Sequence, residues 1–361
     1  MKNRIFIIDG SSYLYRAFHA MPPLSTSKGK PTGAVKGVTN MLMNLKKDSE
    51  GSSIIVVFDA KGKTFRNDIY ADYKANRPPM PDELREQLKP VKSICKAIGF
   101  PLIEIEGVEA DDVIATISRM AKDAKYKCVI SSLDKDLMQL VEDPHTTMMD
   151  TMKHKIFNEE GVFEKFGVKP NQIRDMLALV GDTSDNIPGI PKVGQKTAAK
   201  WLKEYGDLEG IKKNADSISG VVGENLRKSI NDLDRNVELV SLKDDVDINS
   251  KFTDLLQFSP DGKVKREHSS TTLEECIQKS SVIVSGVPSH TFQVPTEWIQ
   301  KYTTVINVAA ETNFDEDTIC NDEQCITYVP HVGRVTVAAL EYNLMSLHQN
   351  YHSKSKHKDM N

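Results

Sequence analysis

The stretch GVEADDVI, residues 107–114, places three carboxylates within four residues at the start of a predicted helix. They are Glu109, Asp111 and Asp112. Acids are common in the first turn of a helix, because the helix dipole presents partial positive charge there. Three anions this close together also repel one another, and a divalent cation would relieve that repulsion. The positions of the other acids in the chain decide between these two interpretations.

Four apolar runs with the character of buried strands end next to acids. The runs and their acids are 3–8 with Asp9, 53–58 with Asp59, 101–105 with the stretch at 107–114, and 127–131 with Asp134 and Asp136. Because these strands alternate with predicted helices, the sequence predicts an α/β fold with a parallel sheet whose ligands bind beyond the carboxyl ends of the strands. A predicted helix at about 171–180 then leads to Asp182 and Asp185, which are spaced to point the same way.

A turn or a helix cap explains any one of these acids, but not the convergence of all of them. An oxygen-only ligand set without His or Cys favours Mg²⁺ or Mn²⁺ over zinc, and the sequence contains no EF-hand loop. Two such ions about 4 Å apart can activate a water and stabilise the leaving oxygen in phosphodiester hydrolysis. The pattern therefore predicts a nuclease with two metal ions.

The composition sets wider bounds. A chain of 361 residues with 39% apolar and 27% charged residues is long enough for one full domain with additional material, or for two domains. Its amino-terminal apolar run is too short for a signal peptide, and no run approaches the ~20 residues of a membrane span. We therefore expect a cytoplasmic protein with reduced cysteines and no membrane partner. The net charge of −4 does not exclude local basic patches.

A long polar insertion at about 61–90 follows the second predicted strand. It interleaves basic and aromatic side chains, a mixture suited to gripping phosphates and stacking on a base. These side chains are Lys61, Lys63, Phe65, Arg66, Tyr70, Tyr73, Lys74 and Arg77. A solvated helical excursion explains the composition equally well.

A second feature that bears on substrate is the turn GIPKVG, residues 189–194, between two predicted helices. Backbone amides at such a turn can hold a phosphate without reading bases. The residues that carry this prediction are Gly189, Lys192, Gly194, Lys196 and Lys200. An ordinary turn between helices needs neither the paired glycines nor the lysines, so we predict a DNA-binding helix-hairpin-helix.

These residues fall within motifs that are similar to a known family. The motifs are IIDGSSYLYRAFHA, VVFDAKGKTFR, YKANRPPMP, GVEADDVI, LDKDLMQLV and LVGDTSDNIPGIPKVGQKTA. Over about residues 1–248 the chain resembles the 5′→3′ exonuclease domain of bacterial DNA polymerase I, a member of the flap endonuclease superfamily. The resemblance implies a PIN-like parallel-sheet nuclease core at 1–170 with a helical arch at about 61–90, and a helix-hairpin-helix subdomain at 171–248.

The resemblance also implies roles for individual residues. It implies that the two-metal carboxylates are Asp9, Asp59, Glu109, Asp111, Asp112, Asp134, Asp136, Asp182 and Asp185. It implies that the contacts to the 5′ end and the scissile phosphate are Arg16, Tyr73, Lys74 and Arg77. A potassium ion among the backbone carbonyls of the turn at 189–194 is a further implication. Leu133 departs from the family pattern, which usually has Gly there, and a bulkier turn is expected to disturb the presentation of Asp134.

The resemblance ends near residue 250. We expect a linker at 249–296 and an extension at 297–361, in which VAAETNFD is a faint echo of the opening of a 3′→5′ exonuclease-like domain. Ala309 stands where the first acid of that motif would fall, and an unrelated small β/α piece is an equal alternative. No polymerase palm is expected to follow. The chain ends in a basic tail that contains Lys354, Lys356 and Lys358.

Three functions compete at this point. The first is a 5′ nuclease that cuts at flaps, nicks and 5′ ends of DNA, primer-strand RNA included, alongside a separate DNA polymerase. The second is a non-catalytic, structure-specific DNA-binding module, which the retention of all nine acids disfavours. The third is a PIN-type RNase, which the helix-hairpin-helix disfavours.

Overall fold

The computed structural model describes residues 3–26, 29–49, 52–150, 155–256, 272–280, 282–287, 291–307, 312–319 and 326–329. Contacts within the chain divide it into two units, Met1–Gly262 and Lys263–Asn361. Among the described residues, no helix combines the length and the apolar character that crossing a bilayer requires.

The first unit is built on a six-stranded sheet with the strand order β3-β2-β1-β4-β5-β6. The strands are β1 (Arg4–Asp9), β2 (Ser53–Val57), β3 (Leu102–Ile103), β4 (Lys127–Ser131), β5 (Thr146–Asp150) and β6 (Lys155–Phe157). The first five are parallel, and β6 pairs antiparallel with β5. The strand order changes direction between β1 and β4, which is the point where open α/β sheets bind their ligands. The predicted α/β fold with a parallel sheet is confirmed.

Helices cover both faces of this sheet, as the continuous apolar runs of the central strands require. In β1, Phe6 and Ile8 pack with one group of helices, and Ile5 and Ile7 pack with the other. The first group is α1 (Gly10–Ala20), α2 (Gly33–Asp48) and α4 (Asp82–Ala97). The second group is α5 (Ala110–Asp123), α6 (Glu159–Phe166), α7 (Ile173–Val180), α8 (Gln195–Tyr205), α9 (Leu208–Lys213), α10 (Gly220–Val240) and α11 (Phe252–Leu255).

The short helix α3 (Phe65–Ile69) opens the polar insertion after β2, and turns follow it as far as residue 76. The rest of the predicted range, up to about residue 90, lies largely in α4. Leu84 and Val91 of α4 are buried in the core beside α1 and α2. The second half of the insertion is therefore anchored to the sheet.

The described residues of the first unit also include three 3-10 helices, at Asp136–Leu140, Pro170–Gln172 and Ala215–Ser217.

The second unit has its own parallel sheet in the order β7-β8-β9. Its elements are α12 (Leu273–Gln278), β7 (Val282–Ser285), a 3-10 helix at Thr296–Trp298, β8 (Thr304–Asn307), α13 (Glu316–Ile319) and β9 (Thr327–Val329). Val305, Phe314 and Ile319 form the centre of a separate core. Both β7 and α12 fall inside the range expected to be a linker, so part of that range is regular structure. Ala309 and the tail lysines Lys354, Lys356 and Lys358 lie outside the described residues.

Candidate active site

The carboxylate of Asp9 lies at the carboxyl end of β1, where it caps α1. Its Oδ1 accepts a hydrogen bond of 2.8 Å from the backbone N–H of Ser12. Its Oδ2 accepts one of 2.8 Å from the hydroxyl of Ser132, directly after β4. Asp9 is buried, so these two bonds fix one carboxylate at the switch point of the sheet.

Asp59 connects the end of β2 to the start of α5. Its Oδ1 accepts a 2.9 Å hydrogen bond from the backbone N–H of Ala110, the first residue of that helix. Its own backbone N–H donates to the hydroxyl of Ser11 at 3.2 Å. The hydrogen bond between Asp59 and Ala110 fixes the position of the first turn of α5, which carries Asp111, relative to the sheet.

Asp134 and Asp136 follow β4 in a short hydrogen-bonded loop. The backbone N–H of Asp134 donates to Ser132 at 3.0 Å, and the backbone N–H of Asp136 donates to the Asp134 carboxylate at 2.9 Å. Leu133 is 42% exposed. The bulkier residue thus lies at the surface, and Asp134 keeps its hydrogen bonds within the loop.

Several carboxyl groups near the carboxyl ends of these strands have raised pKa values, so they resist ionisation. Burial raises the pKa of Asp9 to about 7, the hydrogen bonds from Ser12 and Ser132 oppose the shift, and the charges of Asp59 and Asp134 add to it. Burial and then the charge of Asp134 raise the pKa of Asp136 to about 8.

The pKa values of Asp111 and Asp134 are raised as well. Burial, followed by the charges of Asp134 and Asp9, raises the pKa of Asp111. The pKa of Asp134 is also raised, mainly by burial. These mutual effects show that the carboxyl groups at the ends of β1, β2 and β4 and at the start of α5 lie close together, in what we call the crevice.

Asp182 and Asp185 lie on a tight loop that faces Asp134 and Asp136. Two backbone hydrogen bonds between Asp182 and Ile187, of 2.8 and 2.9 Å, close this loop. The pKa of Asp182 is lowered: burial acts to raise it, but hydrogen bonds from Lys135 and Ser184 outweigh burial. The Lys135 ammonium lies 2.8 Å from the Asp182 carboxylate.

Three residues of the polar insertion, Tyr73, Lys74 and Arg77, contact the carboxylates of Glu109 and Asp185. The hydroxyl of Tyr73 lies 3.1 Å from Glu109 and 3.0 Å from Asp185. The Lys74 ammonium lies 2.6 Å from Glu109, and the guanidinium of Arg77 pairs with Asp185. Burial, followed by the charges of Glu109 and Asp185, raises the pKa of Tyr73, which keeps its hydroxyl protonated as a donor.

Asp112 has a different environment from the other acids. It has no exposed surface, and Arg66 binds both its oxygens, at 2.6 and 2.8 Å. The backbone N–H of Lys243 donates to the same carboxylate at 2.9 Å. Both oxygens of Asp112, which the sequence predicted to be a metal ligand, are therefore engaged by protein groups.

Arg66 also departs from the role that its position in the insertion suggested. Its side chain is 2% exposed, and it donates to the carbonyls of Leu239 and Ser241, both at 2.8 Å. It therefore cannot grip a phosphate in this conformation. It connects α3 and α5 to the carboxyl end of α10.

Arg16 lies on α1, with its guanidinium 3.7 Å from the carboxylate of Asp150 at the end of β5. The structure thus places this predicted 5′-end contact near β5, whereas Tyr73, Lys74 and Arg77 lie beside Glu109 and Asp185.

The sequence did not single out Lys135, Ser132 or Ser184. Lys135 stands between two of the predicted ligands, which was a usable signal, since a cation so placed can reach a neighbouring carboxylate. Ser132 and Ser184 are small polar residues in polar loops, and the sequence contains no signal that separates them from their neighbours.

The turn at 189–194 precedes α8, and its residues Pro191, Lys192 and Gly194 are exposed. Lys192 has a left-handed backbone with φ of 66°. A Cβ on Gly189 would lie 1.9 Å from the carbonyl oxygen of Val180, so only glycine fits there. The first turn of α8 contains no acid, and Gly194 caps it without a side-chain hydrogen bond. Lys196 and Lys200 of α8 are exposed.

The composition of the crevice fits a divalent cation. Its donors are all oxygens, and four of its carboxyl groups have raised pKa values that a cation would lower. Within the described residues, no group of three or more acids, histidines or cysteines is arranged to hold a metal ion by itself. Mg²⁺ suits such an open arrangement, because it often binds one or two carboxylates and completes its shell with waters and substrate phosphates.

A parallel sheet with an acidic crevice at its switch point, followed by a helical region with a Gly-rich turn, defines the class of PIN-like nucleases. The chain belongs to the 5′-3′ exonuclease family. The model of the N-terminal, resolvase-like domain of that family matches residues 4–167, and the model of its C-terminal SAM fold matches residues 168–263. The resemblance inferred from the motifs is confirmed.

Two relatives illustrate the range of proteins that this chain matches. It is 55% identical to a DNA polymerase I of Pseudomonas aeruginosa over 215 residues, which are 59% of this chain and 23% of that protein. It is 46% identical to a 5′-3′ exonuclease of Aquifex aeolicus over 264 residues, 73% of this chain and 90% of that protein. The chain thus spans most of the exonuclease and less than a quarter of the polymerase.

Solved structures of a bacteriophage protein share the fold. A bacteriophage T5 flap endonuclease in a pseudo-enzyme-product complex with DNA and metal ions has a TM-score of 0.59 and 26% identity, over 71% of this chain and 98% of that one. A bacteriophage T5 5′-exonuclease with bound zinc has a TM-score of 0.60 at 24% identity, over 71% of this chain and 99% of that one.

Proposed function

We propose that this protein is a divalent-metal-dependent 5′ nuclease that hydrolyses phosphodiesters at the 5′ ends, nicks and 5′ flaps of DNA, including primer-strand RNA. The observation that carries the proposal is the crevice itself, where acids with raised pKa values, from the buried Asp9 to the exposed Asp134, face one another beside Tyr73, Lys74 and Arg77. Anions and cations gathered in this way suit a phosphate that must be held and attacked.

Seven acids of the crevice would hold the metals. We assign this role to Asp9, Asp59, Asp111, Asp134, Asp136, Asp182 and Asp185, with Glu109 beside them and Asp112 excluded. Two bound Mg²⁺ or Mn²⁺ ions would supply an activated water and a Lewis acid for the leaving oxygen.

The basic residues would act on the phosphate. Lys74 and Arg77 lie close enough to the acids to neutralise the charge that develops on the phosphate during hydrolysis. The Tyr73 hydroxyl orients Glu109 and Asp185. Arg16 is retained as a contact to the 5′ end, farther along the edge of the sheet.

The turn at 189–194 would hold the downstream duplex by its phosphates. The exposed cations Lys192, Lys196 and Lys200 suit a contact that does not depend on sequence. A K⁺ ion at this turn would be held by backbone carbonyls, and two carbonyls near the turn, those of Pro188 and Pro191, also accept hydrogen bonds from side chains. Those two accept hydrogen bonds of 2.6 Å from Asn236 and 2.7 Å from Asn225.

The partner that we propose besides DNA is a DNA polymerase, since one relative is named DNA polymerase I. We place the reaction in the cytoplasm. The free thiols of Cys95, Cys128 and Cys276 agree with a reducing compartment.

A cleavage assay tests the proposal. Purified protein is mixed with 5′-labelled DNA that ends in a flap, a nick or a plain duplex end, in Mg²⁺ or in chelator. We expect short labelled products from the 5′ side in Mg²⁺ and intact DNA in chelator. Tight, structure-selective binding without cleavage in Mg²⁺ would instead support the non-catalytic binding module.

A further inference from the structure

Two surface loops far apart in sequence are joined by side-chain amides. The side-chain amide of Asn186 donates to the carbonyl of Asp72 at 2.7 Å. The side-chain amide of Asn76 donates in the opposite direction, to the carbonyl of Thr183, also at 2.7 Å. We call the joined segments 72–77 and 182–186 the interlock.

Backbone contacts continue the interlock between these amides. The backbone N–H of Lys74 donates to the carbonyl of Asp185 at 2.9 Å. The guanidinium of Arg77 donates through Nε to the carbonyl of Ser184 at 3.2 Å. The same two residues direct their charged ends at the Asp185 carboxylate. Lys74 is therefore held by its backbone N–H and by its ammonium, and Arg77 is held by its Nε and by a terminal guanidinium nitrogen.

The backbone geometry of the interlock depends on these contacts. Lys74 and Asn186 both adopt a left-handed backbone with φ of 58°. Asn adopts this conformation readily, whereas it is unfavourable for Lys, so contacts with the neighbouring loop must hold Lys74 there. Neither amide fills the core, since Asn76 is exposed and Asn186 is half-buried.

We propose that Asn76 and Asn186 are positioning residues, which hold Lys74 and Arg77 in register with Asp182 and Asp185 before DNA arrives. The inference rests on the proposed function and deepens it, since it states what aligns the phosphate-binding cations with the acids. Within the segment 72–77, Tyr73 is buried in the core, whereas Ala75, Asn76 and Arg77 are exposed. The two amides therefore act on the part of the segment that carries Arg77. Small errors in the placement of a charged group reduce the rate of a reaction strongly.

Two variants remove the amides with little disturbance elsewhere. Asn186→Gly keeps a residue that accepts φ of 58°, and Asn76→Ala changes an exposed side chain. We expect each to lower single-turnover cleavage at saturating DNA about tenfold while the Kd for flap DNA changes less than about twofold. The control is Asn214→Ala, which removes an amide-to-carbonyl bond of 2.8 Å at the end of α9. It should cleave at the wild-type rate.

A double-mutant test distinguishes positioning from general damage. If the amides act through the cations, Asn186→Gly should cost no further rate in a Lys74→Ala/Arg77→Ala background. If the same tenfold loss appeared in that background, Asn186 would act by another route, and the proposal would be overturned.

Limited trypsin digestion provides a readout that needs neither metal nor DNA. Trypsin cuts after Lys and Arg except where Pro follows, and Arg77 precedes Pro78, so both variants should be cut after Lys74 at least about fivefold faster than the wild type and the Asn214→Ala control. Equal digestion of all four proteins would overturn the interlock as a constraint. If the wild type cleaved no flap, but the two variants were still digested faster than the wild type and the control, the nuclease function would be contradicted. The interlock would still stand.

Discussion

Asp112 is a fully buried acid, and a single guanidinium from Arg66 binds both its oxygens. Asp112→Ala would leave that guanidinium buried with only the more distant carboxylate of Glu109, at 3.6 Å, as a charged partner. We expect the free energy of unfolding to fall by about 3–5 kcal/mol, as when one partner of a buried ion pair is removed. Urea unfolding of the metal-free protein measures this.

The control for that experiment is Asp182→Ala. Asp182 pairs with Lys135, whose side chain is 42% exposed and can turn to water when its partner is lost. The stability of this variant should fall by at most about 1–2 kcal/mol, the cost of the hydrogen bonds that Asp182 accepts from Ser184. Equal effects of the two substitutions would contradict the separate roles assigned to these acids.

The acids of the crevice predict how stability depends on pH. The folded protein holds protons on Asp9 and Asp136 up to about pH 7 and 8, whereas the unfolded chain releases them near the ordinary Asp value of 3.8. Between these limits the unfolded state binds fewer protons, so stability falls as the pH rises. The Tm of the metal-free protein should therefore decline from pH 5 to pH 8.

Mg²⁺ should oppose this decline, because it binds the ionised carboxylates of the folded state. Asp9→Asn, which keeps the cap on α1, should flatten the pH dependence of the metal-free protein. Melting curves in chelator and in Mg²⁺ at several pH values measure both effects. A Tm independent of both pH and Mg²⁺ would count against the crevice.

The acids can be read from the sequence, but the direction in which each side chain lies cannot. Successive residues of a helix lie about 100° apart around its axis, since there are 3.6 residues per turn, so the neighbours Asp111 and Asp112 meet different surroundings. Which of the two faces the crevice depends on Arg66, 46 residues earlier in the chain. Contacts over that separation cannot be read from local spacing.

At the scale of elements, the strands with continuous apolar runs were predicted well. β1, β2 and β4 lie where their sequences placed them, because strands buried on both faces are uniformly apolar. β3 is shorter than predicted, with two residues in register with β2 at the edge of the sheet. β5, with the sequence TTMMD, and β6, only three residues long, were not predicted, since they lack a long apolar run.

The turn at 189–194 yields a prediction about salt dependence. Lys192→Ala and Lys196→Ala should each weaken duplex binding equally for all sequences and lower the slope of log K against log salt by about 0.9, the value for one lost phosphate contact. The matched control is Lys127→Ala. Lys127 lies at the amino-terminal end of β4, whereas the crevice lies at the carboxyl ends of the strands. Its slope should be unchanged.

Fluorescence anisotropy at several salt concentrations measures these slopes. A loss of affinity restricted to particular DNA sequences would mean that this turn reads bases, contrary to the proposed role.

At the scale of the whole molecule, every group that the proposed mechanism uses lies in the first unit. A protein that ends at residue 262 should cleave flap DNA at about the full-length rate, within about twofold. A protein that ends at residue 248 should be less stable, because it lacks Phe252 and Leu255 of the core and the contact of 5.3 Å between the rings of Phe252 and Tyr126. Thermal melting and flap cleavage of both truncations test this.

The flap assay must be run at low and high salt, since a basic tail would add attraction that salt screens. A folded protein ending at residue 262 that fails to cleave would show that the second unit supplies part of the chemistry.

The central claim is that the crevice carboxylates drive hydrolysis through bound divalent ions. The most direct test is single-turnover cleavage of a 5′-labelled flap in Mg²⁺ by the wild type, Asp111→Ala and Asp182→Ala, with DNA binding measured separately in Ca²⁺. The account predicts that both variants bind the flap within a few-fold of the wild type but cleave it at least about 100-fold more slowly, and that chelator abolishes wild-type cleavage. Cleavage by both variants at the wild-type rate in Mg²⁺, or undiminished wild-type cleavage in chelator, would contradict it.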